Sequence, residues 1–374
     1  MNVLILSCNT GGGHNAAARA IAEELRREGH EYRVVDYLAL GNEGVSRRVS
    51  KAYVSTVNHA PLVFHALYKA GAAVSSPSHH SPVYYLNKSM VRFLKRELAR
   101  CPYDAVVATH LFPAQALTVL RRKGKLPIPF IAVCTDYTCI PFWEETECDR
   151  MIIPHQQLCN EFIEHGVPVG RIQPIGIPVS LACNLSVSKE EARQQLELPA
   201  DKPIILMLSG SMGHGKQDDL IKSLLERKNF SPYIVVVCGS NEKALNQLQH
   251  HFGKNENVRL MGFEHRIPLF LRACDVVITK PGGLTSTEAA VVGTPIVFSN
   301  AIPGCETKNQ NFFLQNGLAF GPQSVWAQSQ AARILATNKE VSDQMLEAQR
   351  LTICPNAAEK ICQLIERMVR RELS

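Results

Sequence analysis

Twice in this chain an apolar strand runs into a glycine-rich turn and then into a helix. Val3 to Ser7 leads into Cys8-Asn9-Thr10-Gly11-Gly12-Gly13-His14 and an alanine-rich helix over Asn15 to Arg27. Pro203 to Leu208 leads into Ser209-Gly210-Ser211-Met212-Gly213-His214-Gly215-Lys216 and a helix over Gln217 to Arg227. Glycine lets the backbone approach a ligand closely, and the helix that follows offers unpaired N–H groups, so this is how a doubly wound α/β domain begins. Two such openings call for two domains, and 374 residues are enough for both.

Further apolar runs supply the sheets. The first half has strands at Arg33 to Asp36, Ala105 to Thr109, Phe130 to Cys134, Arg150 to Ile153 and Ile172 to Ile175. The second has Tyr233 to Cys238, Val258 to Met261, Asp275 to Thr279 and Pro295 to Ser299, alternating with helices at Asn241 to His251, Ile267 to Ala273 and Thr285 to Val292. Alternation of this kind gives parallel sheets. Gly176-Ile177-Pro178-Val179 and the polar stretch to Asp201 read as a linker, which predicts domains over 1–180 and 181–354 and a closing helix over 355–374 that returns to the first domain. Open parallel sheets bind ligands at the carboxyl ends of their strands, so the ligand site is expected in a cleft between the domains.

Composition excludes several functions. A net charge of +6 is too small over this length to indicate nucleic acid. The 12 cysteines are scattered singly without a Cys-x-x-Cys, several inside apolar strands, and the 13 histidines form no His-Glu-x-x-His. Neither disulfides nor bound metal is expected. The longest apolar runs are strand-sized, and the amino end enters a strand without a basic prefix, so a cytosolic protein with no membrane span is expected.

The charge is nevertheless concentrated. Between Ser46 and Arg100 stand nine basic residues against one acid, Glu97. Within it Leu86, Met90, Phe93, Leu94 and Leu98 repeat at helical spacing while Lys88, Arg92, Lys95 and Arg96 take another side. Such a helix either lies on an anionic membrane surface or turns an ordinary apolar face to the core and a basic face to water.

Gly210 to Lys216 fits the phosphate-loop spacing Gly-x-x-x-x-Gly-Lys. The next residue is Gln217, where a nucleotide triphosphatase needs a hydroxyl for magnesium, so that reading is set aside. More informative is Lys280-Pro281-Gly282-Gly283-Leu284-Thr285-Ser286-Thr287-Glu288, which follows a strand. The turn exposes a helix amino end suited to a diphosphate; Glu288, about one turn in, is either a ligand for two ribose hydroxyls or a plain helix-surface acid.

Taken together, Thr10 to His14, Thr135-Asp136-Tyr137 with Trp143, Gly176-Ile177-Pro178, Gly210 to Gly213, Gly262-Phe263, Lys280 to Glu288 and Pro303 to Asn309 resemble the two-domain (GT-B) nucleotide-sugar glycosyltransferases. The chain is most similar to the group of monogalactosyldiacylglycerol synthases and processive diacylglycerol glucosyltransferases, with MurG as a distant relative. The resemblance spans nearly the whole length. It implies inverting, metal-independent transfer of a hexose from a UDP-sugar, a substrate and not a cofactor, to a membrane lipid such as diacylglycerol.

By that resemblance, main-chain groups around Phe263 read the uracil and Glu288 holds the ribose. Gly210, Ser211 and Gly213, with Gly282, Gly283, Leu284 and Thr285, hold the diphosphate, and Glu306 and Asn309 touch the sugar. Lys280 is an additional cation, and Gly13 faces the donor from the first domain. His14 is the expected general base, because an imidazole suits removal of a proton from the attacking hydroxyl near neutral pH. Asp136 competes for that role, or orients His14, or binds the acceptor. Lys88, Arg92, Phe93, Lys95, Arg96, Tyr137 and Trp143 fall on the membrane and acceptor side, which places the protein peripherally on the inner face of the cell membrane. Cys305, where many relatives carry Gln, leaves glucose, galactose and N-acetylglucosamine all open. Two other functions fit the same fold: epimerisation or hydrolysis of a UDP-sugar, and non-catalytic binding of one by a membrane-associated regulator.

Overall fold

The computed structural model describes residues 1–9, 12–41, 82–184, 186–208, 217–226 and 228–371, with backbone alone for 82–89. The chain divides into two units. One comprises Met1–Leu181 with Pro303–Cys305 and Cys354–Ser374; the other comprises Ala182–Ile302 and Glu306–Ile353.

The first unit is built on six parallel strands: β1 (Asn2–Ser7), β2 (Glu31–Asp36), β3 (Ala105–Ala108), β4 (Phe130–Val133), β5 (Arg150–Ile152) and β6 (Ile172–Gln173). Their spatial order is β2-β1-β3-β4-β5-β6. Val3 to Leu6 and Val106 to Ala108 are wholly buried, as strands covered by helices on both faces must be. The helices are α1 (Gly12–Arg27), α2 (Pro82–Leu98), α3 (Leu111–Arg122) and α4 (Cys159–Glu164). A closing helix, Ala357–Val369, packs on α1, where Ala18, Ile21, Ala22 and Leu25 share a core with Ile361, Cys362, Leu364 and Ile365. Small alanines on α1 allow the close approach. The carboxyl end of the chain thus completes the first unit.

The second unit contains β7 (Ile204–Leu208), β8 (Tyr233–Val237), β9 (Val258–Met261), β10 (Val276–Thr279) and β11 (Ile296–Phe298), all parallel in the order β11-β10-β7-β8-β9. Around them lie α5 (Lys189–Gln195), α6 (Gln217–Leu225), α7 (Glu242–Phe252), α8 (Ile267–Ala273), α9 (Gly283–Val292), α10 (Cys305–Gln315), α11 (Val325–Thr337) and α12 (Lys339–Thr352).

Two expectations need correction. Helix α1 begins at Gly12 rather than at Asn15, so Gly12, Gly13 and His14 form its first turn. The polar stretch expected as linker contains α5, opened by a capping box in which Ser188 Oγ accepts from the Glu191 N–H and the Glu191 carboxylate accepts from the Ser188 N–H.

Helix α2 resolves the two faces of the basic segment. Val91 and Leu94 are buried where α2 packs on α3, and Met90 and Phe93 lie over Gly41. Over 90–98 the apolar side is therefore a core face. Arg92, Lys95 and Arg96 are exposed, with the Arg92 guanidinium 4.5 Å from the Phe93 ring centroid. Glu97, the lone acid, is 2% exposed and holds both Arg33 and Arg100.

Candidate functional site

Each sheet has one place where the strand order reverses, and ligands of doubly wound folds bind there, beyond the carboxyl ends of the two diverging strands. In the first unit that place lies between β1 and β3. His14 follows β1, Thr109 and His110 follow β3, and Thr135 and Asp136 follow β4.

These segments are bonded to one another. His14 Nδ1 lies 2.9 Å from the Thr109 main-chain oxygen and 3.0 Å from Thr135 Oγ1, and Thr109 Oγ1 donates to the His14 main-chain oxygen at 3.0 Å. A carbonyl only accepts, so Nδ1 carries the hydrogen and the lone pair of the neutral ring is on Nε2. His14 is half-buried in the first turn of α1. Burial holds its pKa below that of an ordinary imidazole, opposed by the Asp136 charge and by the Thr109 carbonyl.

A second imidazole, absent from the sequence-based expectations, stands beside it. His110 caps α3, its Nδ1 accepting the Phe112 N–H at 3.1 Å, so this ring carries its hydrogen on Nε2. The two ring centroids are 4.5 Å apart with planes at 79°. Burial first, and the His14 charge second, keep His110 neutral well below the usual pH of imidazole titration. The clue in the sequence was its position directly after the strand that neighbours β1.

Asp136 is half-buried beside Thr135, and the loop it opens is pinned by Glu161, which accepts from the Thr138 hydroxyl and the Cys139 N–H. Tyr137 and Trp143 are each 2% exposed. Both side chains therefore support this loop from within the core and present no face to a membrane or an acceptor.

In the second unit the reversal lies between β7 and β10. Gly210, Ser211 and Gly213, which follow β7, lie outside the described residues. After β10 come Lys280, Pro281 and Gly282, the last being the N-cap of α9 with no side-chain cap. Gly283, Leu284 and Thr285 form the first turn of that helix, whose N–H groups make a positive end suited to an anion. Glu288 is half-buried further along the same helix. Lys280 Nζ lies 3.4 Å from Glu306 Oε1, Glu306 Oε2 accepts the Ile302 N–H at 2.8 Å, and Asn309 is fully buried one turn further into α10. Phe263 is 69% exposed, its ring edge-on to His265.

Among the described residues, one group has the spacing of metal ligands: Glu28, His30 and Glu366, with donor atoms within 4.8 Å of one another. His30 Nε2 is already engaged by Glu366 at 2.7 Å, and His30 stands at the amino end of β2, the end of the sheet opposite the switch point. All twelve cysteines are free thiols, and burial pushes the Cys8 and Cys134 thiols far up, so they are inert. No described helix is long and apolar enough to cross a membrane.

Two parallel-sheet α/β units, each with polar groups gathered at its switch point, make up the GT-B fold. Residues 14–179 match the family described as monogalactosyldiacylglycerol (MGDG) synthase, and residues 188–352 match the glycosyl transferases group 1. The chain is a glycosyltransferase carrying these two family domains, and it is similar to monogalactosyldiacylglycerol synthases and processive diacylglycerol glucosyltransferases. It is 29% identical over 362 residues to the Oryza sativa subsp. indica protein named "Probable monogalactosyldiacylglycerol synthase 2, chloroplastic", a match spanning 90% of this chain and 74% of that one. It is 26% identical over 355 residues to the processive diacylglycerol beta-glucosyltransferase of Staphylococcus epidermidis, spanning 93% and 88%. The crystal structure of Acinetobacter baumannii MurG shares the fold, with a TM-score of 0.63 at 17% identity over 98% of this chain and 99% of that one.

Proposed function

We propose that this chain transfers a hexose, with inversion and without a divalent metal, from a UDP-sugar to the free hydroxyl of a diacylglycerol-type lipid. The observation that carries the reading is the His14 imidazole, whose Nδ1–H bond to Thr109 leaves the Nε2 lone pair for a proton, in a chain whose relatives are named for sugar transfer to diacylglycerol. His14 Nε2 takes the hydroxyl proton as the acceptor oxygen attacks C1 of the sugar. The bond from C1 to the β-phosphate oxygen breaks, and its electron pair leaves with UDP. Attack from the face opposite the leaving group inverts the anomeric centre.

The leaving diphosphate gains charge as that bond breaks. The uncapped first turn of α9 is a fixed positive end that stabilises such charge without a metal ion. Glu288 binds the ribose, main-chain groups around Phe263 read the uracil, and Glu306 with Asn309 touch the sugar. Gly210, Ser211 and Gly213 contribute further contacts to the diphosphate. The exposed Arg92, Lys95, Arg96 and Arg100 rest on the anionic inner face of the cell membrane, so the enzyme works from the cytosol on an acceptor that stays in the bilayer.

The test is incubation in EDTA with anionic vesicles containing diacylglycerol and, in turn, UDP-glucose, UDP-galactose and UDP-N-acetylglucosamine, measuring both UDP and glycolipid. New glycolipid with one donor is the expected result. UDP release without glycolipid would replace transfer by hydrolysis, and product only when a divalent cation is restored would overturn metal independence.

A further inference from the structure

We infer that Lys280 is a positioning residue: it fixes the orientation of the Glu306 carboxylate and, through it, sets which hexose the enzyme accepts. It does not serve as the cation of the diphosphate. This rests on the donor reading above, in which Glu306 touches the sugar.

The two side chains form a largely buried pair, 13% and 15% exposed, with Lys280 Nζ 3.4 Å from Glu306 Oε1. The other carboxylate oxygen accepts the Ile302 N–H at 2.8 Å. Each oxygen is thus held along one lone pair by a different element, Oε1 from the end of β10 and Oε2 from the turn before α10, and each keeps a second lone pair. The plane of the carboxylate is set before a donor arrives. Glu306 is also the second residue of α10, where a carboxylate is favoured by the helix amino end. A carboxylate held this way presents two acceptors in fixed directions, and an epimer with one hydroxyl turned away leaves one of them unmatched. If Lys280 swung to the diphosphate instead, Glu306 would remain largely buried without its cation, which is costly. The positive first turn of α9 already serves the diphosphate.

The experiment measures dissociation constants of UDP, UDP-glucose, UDP-galactose and UDP-N-acetylglucosamine for the intact chain and for Lys280→Met, Lys280→Arg, Glu306→Gln and the double variant Lys280→Met/Glu306→Gln. In Lys280→Met the UDP affinity is expected to stay within about threefold while preference among the sugars shrinks about tenfold. Lys280→Arg is expected to restore part of that preference. The double variant is expected to be no worse than the poorer single variant, the non-additivity of residues acting through one contact. Retained UDP binding also reports that the variant is folded. If Lys280→Met weakens UDP as much as the UDP-sugars, Lys280 is a diphosphate ligand and the inference is wrong; additive single effects would overturn it too. An unmodified chain that binds UDP-sugars in this pattern but makes no glycolipid would remove the transfer reading alone, whereas one that binds neither UDP nor UDP-sugars would remove both.

Discussion

The imidazole of His14 takes its tautomer from Thr109, whose main-chain oxygen lies 2.9 Å from Nδ1 across 95 residues of chain. Thr109 returns a second bond, from its hydroxyl to the His14 main-chain oxygen, so ring and backbone are both tied to the strand beside β1. A general base needs one nitrogen held and the other available, and this pair of bonds provides that arrangement.

Replacing His14 by Ala should lower transfer by about 100-fold or more while UDP affinity changes only a few fold, because the base acts on the acceptor and not on the nucleotide. Steady-state kinetics alongside UDP binding would check this. Near-normal turnover would remove His14 from the mechanism.

The same base predicts a pH profile. Burial lowers the His14 pKa, so the neutral form persists to lower pH than for an ordinary imidazole, and the acid limb of kcat/KM should lie correspondingly low. Asp136 pulls the pKa upward, so Asp136→Asn should move that limb further toward acid while leaving measurable transfer. Complete loss of activity in Asp136→Asn, with folding intact, would assign the base to Asp136 instead.

His110 should be a stability residue with a pH signature. Its pKa is depressed in the folded protein, so the unfolded chain takes up a proton at mildly acidic pH that the folded chain refuses. Stability should therefore fall as pH drops through the ordinary imidazole range, and thermal melts of His110→Asn, which keeps a capping side chain, should show a shallower fall. His110→Ala also loses the cap of α3, at a cost of about 1 kcal/mol.

Gly176 stands at φ +119°, and an added Cβ would lie 3.1 Å from Cys354 Cβ and 3.2 Å from Ala357 Cβ. Gly176→Ala should destabilise the protein by roughly 1–3 kcal/mol through backbone strain and crowding against the start of the closing helix. Denaturant midpoints would measure it. The glycine of the Gly-Ile-Pro motif is thereby explained by packing.

Replacing Arg92, Lys95 and Arg96 together by Gln should weaken binding to anionic vesicles by roughly 1 kcal/mol per charge, with no change toward neutral vesicles. Co-sedimentation at two ionic strengths would separate this from hydrophobic insertion. Equal binding by both proteins would place the membrane contact elsewhere.

Much of this protein was written locally. The eleven described strands, two to six residues long, overlap the segments expected from apolar patterning, and the two glycine turns announce two α/β units, because strand and helix periodicity are properties of neighbouring residues. The uncapped glycine start of α9 was equally legible, whereas α5 and its capping box at Ser188 lay in a stretch read as linker. Which loops meet was decided by strand order. His110 became a neighbour of His14 because β3 lies against β1, and Lys280 found Glu306 because β10 ends beside the turn that leads into α10. Tyr137 and Trp143 went into the core, and over 90–98 the apolar side of α2 went to α3 and Gly41. Burial of that kind depends on what the rest of the chain leaves uncovered, and hydrogen-bond partners depend on atoms brought together across many residues. Sequence spacing therefore determined the elements and their candidate chemistry, whereas tautomer, pairing and exposure were fixed only when the sheets assembled.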